Sequence, residues 1–180
     1  MSAPDHLFAF DLETTGLSFT NDRIVSAAVV GEFLPNGGRK IIMNPGMPIP
    51  EESTRVHGIT DAMVAQEMSY VDGLSLLNRM LVWAWNAGGV MVGHNIHGYD
   101  LPMLRMQERQ VFGREITSFG PSVDTLGASR RAMPGEIVKL TNVCERLGIA
   151  LHNAHDAASD AWASLAVARA LNVVPAGISA

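Results

Sequence analysis

Leu7-Phe8-Ala9-Phe10-Asp11-Leu12-Glu13-Thr14-Thr15-Gly16 is the stretch from which the rest of the chain is read. Four apolar residues, Leu7–Phe10, predict a buried strand, and it runs straight into two carboxylates before Thr14-Thr15-Gly16 turns the chain. Alternation along a strand puts Asp11 and Glu13 on one face. Two carboxylates that close repel each other unless something positive sits between them. A solvated strand end is the common meaning of Asp-x-Glu. A chemical site is the other reading, because strand ends beside a glycine turn are favoured positions for one.

Outward from this stretch, Ile24–Phe33 reads as a second strand and Lys40–Met43 as a third, joined by the breaker run Pro35-Asn36-Gly37-Gly38. Short turns between consecutive strands favour antiparallel pairing. Residues 44–60, punctuated by Pro45, Pro48, Pro50 and Gly58, read mainly as loop. Leu74, Leu77, Leu81, Ala84 and Trp85 recur at helical spacing, with Gly88-Gly89 as the stop. Val90–Val92 reads as a short buried strand, Tyr99–Gln110 as a helix, and Val123–Leu126 as another strand end. Helices are expected at Lys139–Leu147 and Asp156–Leu171, with 174–180 as a frayed tail. Three strands followed by alternating helices and strands make an α/β domain with a mixed sheet.

The chain has 180 residues, with Lys+Arg 13 against Asp+Glu 18 and a net charge of −5. That length suits one domain spanning 1–180, its core at about 7–171. With 47% hydrophobic and 17% charged residues, wholesale disorder is excluded. No apolar run approaches the roughly 18 to 20 residues needed to span a bilayer. The first ten residues lack a basic leader, so no signal peptide is expected. A lone cysteine, Cys144, fits a reducing compartment, and a cytoplasmic location is expected. Only two lysines, Lys40 and Lys139, in an acidic chain argue against non-specific coating of duplex nucleic acid.

Two further groups raise the value of the first carboxylate pair. Gly93-His94-Asn95 follows the strand Val90–Val92, and Asp100 opens the next helix, where it also suits the helix N-terminus as a charge. His155 precedes Asp160 by five residues, and Asp156 is placed to cap the last helix. Asp11, Glu13, Asp100 and Asp160 would form a set of hard oxygen donors with one imidazole beside it. Such donors suit Mg²⁺ or Mn²⁺ rather than zinc. Two such ions about 4 Å apart stabilise both oxygens of a phosphodiester displacement, and a histidine is suited to take the proton of the attacking water.

These residues resemble a known pattern. Phe10-Asp11-Leu12-Glu13-Thr14-Thr15-Gly16-Leu17 is similar to the first motif of the DEDDh 3′–5′ exonucleases. Val92-Gly93-His94-Asn95 through Asp100-Leu101-Pro102 resembles the second, and His155-Asp156-Ala157-Ala158-Ser159-Asp160 matches the third. Asp22-Arg23-Ile24 and His57-Gly58-Ile59-Thr60 are further family-like landmarks. Five residues from Asn95 to Asp100, rather than four, resemble the three-prime repair exonuclease branch and point to an autonomous DNA-trimming enzyme.

The resemblance implies a ribonuclease H-like fold, with a five-stranded mixed sheet flanked by helices. It implies that Asp11, Glu13, Asp100 and Asp160 hold two Mg²⁺ ions, with Mn²⁺ as a substitute, and that His155 is the general base. His152 is a rival for that role, but the fifth residue after it is Ala157. By the same carry-over, Thr14, Thr15 and Gly16 hold the terminal nucleotide, Leu17 wedges against its base, and Asn95 is a polar contact. A tight turn, a core leucine and a loop cap are the plain alternatives for these positions. His6, His57, His94 and His97 are left as structural or surface residues. The expected substrate is a single-stranded or frayed DNA 3′ end, with RNA as the alternative, and the products are nucleoside 5′-monophosphates. A catalytically silent nucleic-acid-binding module is the third reading. A second copy of the chain or a replication or repair protein is the expected protein partner. Arg105, Arg109, Arg114, Arg130 and Arg131 read as solvated charges in preference to a backbone track.

Overall fold

The computed structural model describes residues 6–173, so the expected tail at 174–180 and the first five residues lie outside what is described. Five strands form one sheet: β1 (Leu7–Thr14), β2 (Ile24–Val30), β3 (Gly38–Ile42), β4 (Val90–Gly93) and β5 (Ser122–Asp124). Their order is β3-β2-β1-β4-β5. β1 pairs antiparallel with β2, and β2 with β3, while β4 lies parallel to β1 and to β5. The helices are α1 (Glu51–His57), α2 (Asp61–Val64), α3 (Tyr70–Asn86), α4 (Asp100–Phe112), α5 (Thr125–Ala132), α6 (Leu140–Leu147) and α7 (Ala157–Ala170). This is the expected five-stranded mixed sheet between helices.

Alternation along β1 builds the two layers. Phe8, Phe10 and Leu12 point into a core with Leu74, Leu77, Leu81, Leu101, Met103 and Leu104 of α3 and α4. Ala9 points the other way, to a second core with Ala28, Val92, Ala157, Ala161 and Leu165. Asp11 and Glu13 share the face of Ala9, so they look toward α7. Small side chains on both surfaces let α7 lie close to β1. A bulge sharpens the end of β1: Glu13 faces Ser26 but Thr14 faces Ile24, leaving Val25 as the extra residue. Such bulges bend a strand and re-aim its side chains.

Three expectations on elements are corrected. β2 ends at Val30, not Phe33. At Gly31 a Cβ would lie 2.8 Å from the Leu7 carbonyl oxygen, and beyond it Phe33 leaves the sheet to stack on Trp83. Within 44–60, expected as loop, α1 forms between Pro50 and Gly58, the latter in the left-handed conformation at φ 74°. The prolines and glycine there mark helix ends, and α1 buries no residue, so it carries no apolar stripe to read. At Val123–Leu126 the strand stops at Asp124, whose side chain caps α5 by accepting from the Leu126 N–H. The stripe that α5 buries, Thr125, Ala128 and Ser129, is largely polar, so it gives little apolar signal. No helix among the described residues is long and apolar enough to cross a membrane.

Candidate active site

β1 and α7 bring together the first and third groups of carboxylates. Oxygens of Asp11, Glu13 and Asp160 all lie within 4.8 Å of one another. Asp160 reaches this point because Asp156 caps α7, accepting from the Ala158 and Ser159 N–H groups at 3.1 Å each. That cap fixes where the first turn begins, and Asp160 lies on it beside the buried Ala161.

Asp100 arrives from the opposite side of β1. β4 pairs only with Leu7–Ala9, so the Leu12 N–H lies beyond it. The Asp100 carboxylate accepts that N–H at 3.1 Å from the first turn of α4. Asp100 thus serves as the N-terminal charge of α4, and it is not part of the group in which Asp11, Glu13 and Asp160 oxygens meet. Asp100 is 4% exposed, and its charge acts on Asp11.

The electrostatics follow from burial and crowding. Burial, followed by Asp100, Glu13 and Asp160, raises the Asp11 carboxyl well above its ordinary range. Burial, Asp160 and Asp100 push Glu13 up to about 8, against a smaller opposing effect of Lys40. Burial pushes Asp100 up to about 7, even though the Leu12 N–H favours its charged form. Asp160 is raised too, chiefly by burial, with His155 opposing. Asp160 Oδ1 is buried with no hydrogen-bond partner among the described residues. Buried polar atoms are nearly always paired, and a set of crowded carboxylates with an unpaired oxygen fits a divalent cation bound through oxygen.

His155 stands exposed at the mouth of this cluster. Its backbone N–H donates to Asp160 Oδ2 at 3.0 Å, and its φ is +65°. A histidine in the left-handed region is uncommon, and here the Asp160 bond holds the turn. His94 is structural, pairing with the Thr125 hydroxyl at 2.9 Å and the Val138 carbonyl at 2.8 Å. His57 accepts the Ile59 N–H at 3.0 Å, and burial keeps its pKa below the ordinary value. His97 pairs with Ser122 at the surface.

The turn after β1 is tightly held. The Thr15 hydroxyl donates to Asp22 Oδ1 and accepts the Arg23 N–H, each at 3.0 Å. Its N–H and carbonyl are also taken, by the Arg23 carbonyl at 2.8 Å and the Ser53 hydroxyl at 2.7 Å. Thr15 therefore shapes the turn. Gly16 is required there, since a Cβ would lie 2.5 Å from Asp22 Oδ2. The Thr14 hydroxyl donates to the Gly16 carbonyl at 2.7 Å. Leu17 is 82% exposed, which removes the core-leucine reading. Asn95 is exposed at φ +73°, and its carbonyl accepts the Gly98 and Tyr99 N–H groups, so it turns the loop before α4.

Three contributors were not read from the sequence. Tyr99 donates to the Gly16 carbonyl at 2.8 Å and pairs with the Thr14 hydroxyl at 2.6 Å, tying α4 to the first turn. Asp124 accepts the Asn95 N–H at 2.8 Å and the His97 N–H at 3.2 Å, organising the loop that leads to Asp100. Lys40 pairs with Asp156 beneath the start of α7. A strand-end aspartate followed by Thr-Leu was the only local signal, and it pointed to Asp124. Arg105 and Arg109 pair with Glu115, in keeping with solvated charges. A cavity of about 430 Å³, lined by Leu34, Leu76, Met80 and Trp83, opens on the α3 face, away from the carboxylates.

The exonuclease family model, RNase T, matches residues 8–168. The chain belongs to the exonuclease family. Among relatives of this exonuclease-family chain, a DNA polymerase III subunit epsilon-like protein of Rhodobacter capsulatus is 36% identical over 79% of the chain and 20% of its own length. The DNA polymerase III subunit epsilon of Treponema pallidum is 28% identical over 85% of the chain and 70% of its own length. A PolC-type DNA polymerase III of Lacticaseibacillus paracasei is 31% identical over 86% of the chain. The chain thus spans one fifth of the first of these relatives and 10% of the PolC-type one. Escherichia coli exonuclease I, solved with a dT13 oligonucleotide, has TM-score 0.76 at 17% identity, covering 93% of this chain and 41% of that one. At that identity the likeness shows the fold, which is the ribonuclease H-like one. The sequence relatives named here carry polymerase III names, and none of these three carries a repair-exonuclease name.

Proposed function

We propose that the chain works as one exonuclease domain that hydrolyses the 3′-terminal phosphodiester bond of single-stranded or frayed DNA and releases nucleoside 5′-monophosphates. The observation that carries this reading is the meeting of Asp11, Glu13 and Asp160 within 4.8 Å, around a buried Asp160 oxygen with no hydrogen-bond partner among the described residues. Asp100 completes the set from α4. Two divalent ions of the Mg²⁺ kind, replaceable by Mn²⁺ and held by these four carboxylates, would supply the charge that stabilises attacking and leaving oxygens.

The remaining work falls to the protein. His155 takes a proton from the attacking water on its imidazole, its backbone held by the amide N–H bond to Asp160. The water oxygen bonds to phosphorus as the bond to the 3′ oxygen of the preceding nucleotide breaks. Leu17, standing out of the surface beside the held turn, wedges against the terminal base. Thr14 and Gly16 face the same nucleotide, and Asn95 lines the approach. DNA is favoured because the relatives carry DNA polymerase III names and the exonuclease I structure holds a DNA oligonucleotide. A polymerase or repair assembly is the corresponding class of partner.

The test uses matched 5′-labelled single-stranded DNA and RNA with Mg²⁺, Mn²⁺ or chelator, resolved on a denaturing gel. The expected result is a metal-dependent ladder shrinking from the 3′ end, faster on DNA. Intact metal binding with no shortening of either strand would overturn the proposal in favour of a silent binding module.

A further inference from the structure

Lys40 is one of only two lysines in the chain, and it lies on the site's face of the sheet. Register puts it there: Asp11 faces Ala28, and Ala28 faces Lys40. Directly opposed residues share a face, so Asp11, Ala28 and Lys40 form one row across three strands. At strand spacings of about 4.8 Å, the backbone of Lys40 is roughly 10 Å from that of Asp11. Ala28, wholly buried, is the residue between them in that row. Lys40 ends in an ion pair with Asp156, and both side chains are 31% exposed.

Asp156 is placed to pass this contact on. One of its oxygens, Oδ1, accepts the Ala158 and Ser159 N–H groups, while the other, Oδ2, takes Lys40. Its carbonyl accepts the Asp160 N–H at 2.9 Å, starting the helix. Asp160 in turn holds the His155 N–H. A chain of direct bonds therefore runs from β3 through Asp156 to Asp160 and His155. α7 is otherwise seated on the sheet by alanines and one leucine, and at its far end by Arg169, which donates to both carboxylate oxygens of Glu32 at 2.6 Å; the Lys40 pair is the ion pair at its first turn.

We infer that Lys40 is a positioning residue: by holding Asp156 from β3, it sets the first turn of α7, and with it Asp160 and His155, in register with Asp11 and Glu13. The inference rests on the proposed hydrolysis for its kinetic readout, but its structural readout is independent of it. Small displacements of reacting groups cost on the order of 100-fold in rate. Loss of the tie lowers kcat by about 10- to 100-fold while the oligonucleotide KM stays within about twofold, because Lys40 acts through α7 and not on the substrate.

The experiment compares wild type with Lys40→Met, Lys40→Arg, Asp156→Ser and the Lys40→Met/Asp156→Ser double variant at saturating Mn²⁺. Serine still caps a helix but cannot pair with lysine. Hydrogen–deuterium exchange of the first turn of α7 is measured on the same proteins without substrate. Lys40→Met and Asp156→Ser should each lower kcat and speed exchange at residues 158–160. The double variant should be no worse than the worse single one, and Lys40→Arg should recover most of the rate. Unchanged exchange in Lys40→Met would overturn the inference. So would a raised KM at unchanged kcat, which would make Lys40 a substrate contact, or losses that multiply in the double variant. A wild type that never shortens a strand would sink the proposed hydrolysis, while the exchange data would still decide the tie.

Discussion

Replacing Glu13 by glutamine should stabilise the metal-free protein while removing its activity. Glu13 is pushed up to about 8 from an ordinary 4.5, first by burial and then by Asp160 and Asp100. Its proton is therefore held more tightly folded than unfolded. Between pH 4.5 and 8 the folded chain binds more protons than the unfolded chain, so stability falls as pH rises through that window. At pH 7 the carboxyl has been carried about two and a half units past its unfolded value. At about 1.4 kcal/mol per unit, that is a cost of about 3 kcal/mol. Glutamine keeps the shape and never ionises, so it escapes this cost. For a chain of this length each kcal/mol moves Tm by roughly 2–4 °C, giving a rise of roughly 6–12 °C in chelator at pH 7. The assay is thermal unfolding by circular dichroism at pH 4.5 and pH 7, with chelator and with Mn²⁺. The gain should be near zero at pH 4.5, and Mn²⁺ should raise the wild-type Tm more than that of the variant. A fall in Tm at pH 7, or an equal change at both pH values, would refute the account of Glu13 as part of a self-repelling cluster.

Other outcomes follow from the same geometry. Asp11→Ala and Asp160→Ala should each abolish strand shortening and leave the chelated protein folded, as circular dichroism would show; a variant with near-normal turnover would end the ligand assignment. His155→Ala should lower kcat by roughly 10²–10⁴-fold through loss of the general base, with the Mn²⁺ isotherm preserved, since only its N–H touches Asp160. Mn²⁺ affinity measured by calorimetry should tighten from pH 6 to pH 8, because Glu13 at about 8 and Asp100 at about 7 must release protons to bind; affinity flat across that range would contradict it. Tyr99→Phe removes the bonds to Gly16 and Thr14 and should cost about 1 kcal/mol in urea unfolding, with a raised KM for the oligonucleotide.

Much of the site could be read locally because its parts are short and self-contained. A strand that ends in Asp-x-Glu, an aspartate that opens a helix, and a histidine five residues ahead of a helical aspartate each announce themselves by spacing. What failed to show lacked apolar contrast. α1 buries no residue, the stripe that α5 buries (Thr125, Ala128 and Ser129) is largely polar, and β2 is cut short by the close approach of Gly31 to Leu7, which no local pattern records. The site contacts of Tyr99, Asp124 and Lys40 went unread for a different reason: each is made to a group 27 or more residues away.

From sequence alone, then, came the mixed α/β class, the hard-oxygen chemistry of the donor set, and the likeness to the exonucleases. Those depend on residue type and on intervals within one element, which strand and helix periodicity translate directly into faces. The closeness of β1 to α7, the entry of Asp100 under the Leu12 N–H, the raised proton affinity of the cluster and the Lys40 tie were decided by the tertiary structure. They depend on burial and on partners from separate strands and helices, and it is packing that brings those charges into one poorly hydrated place.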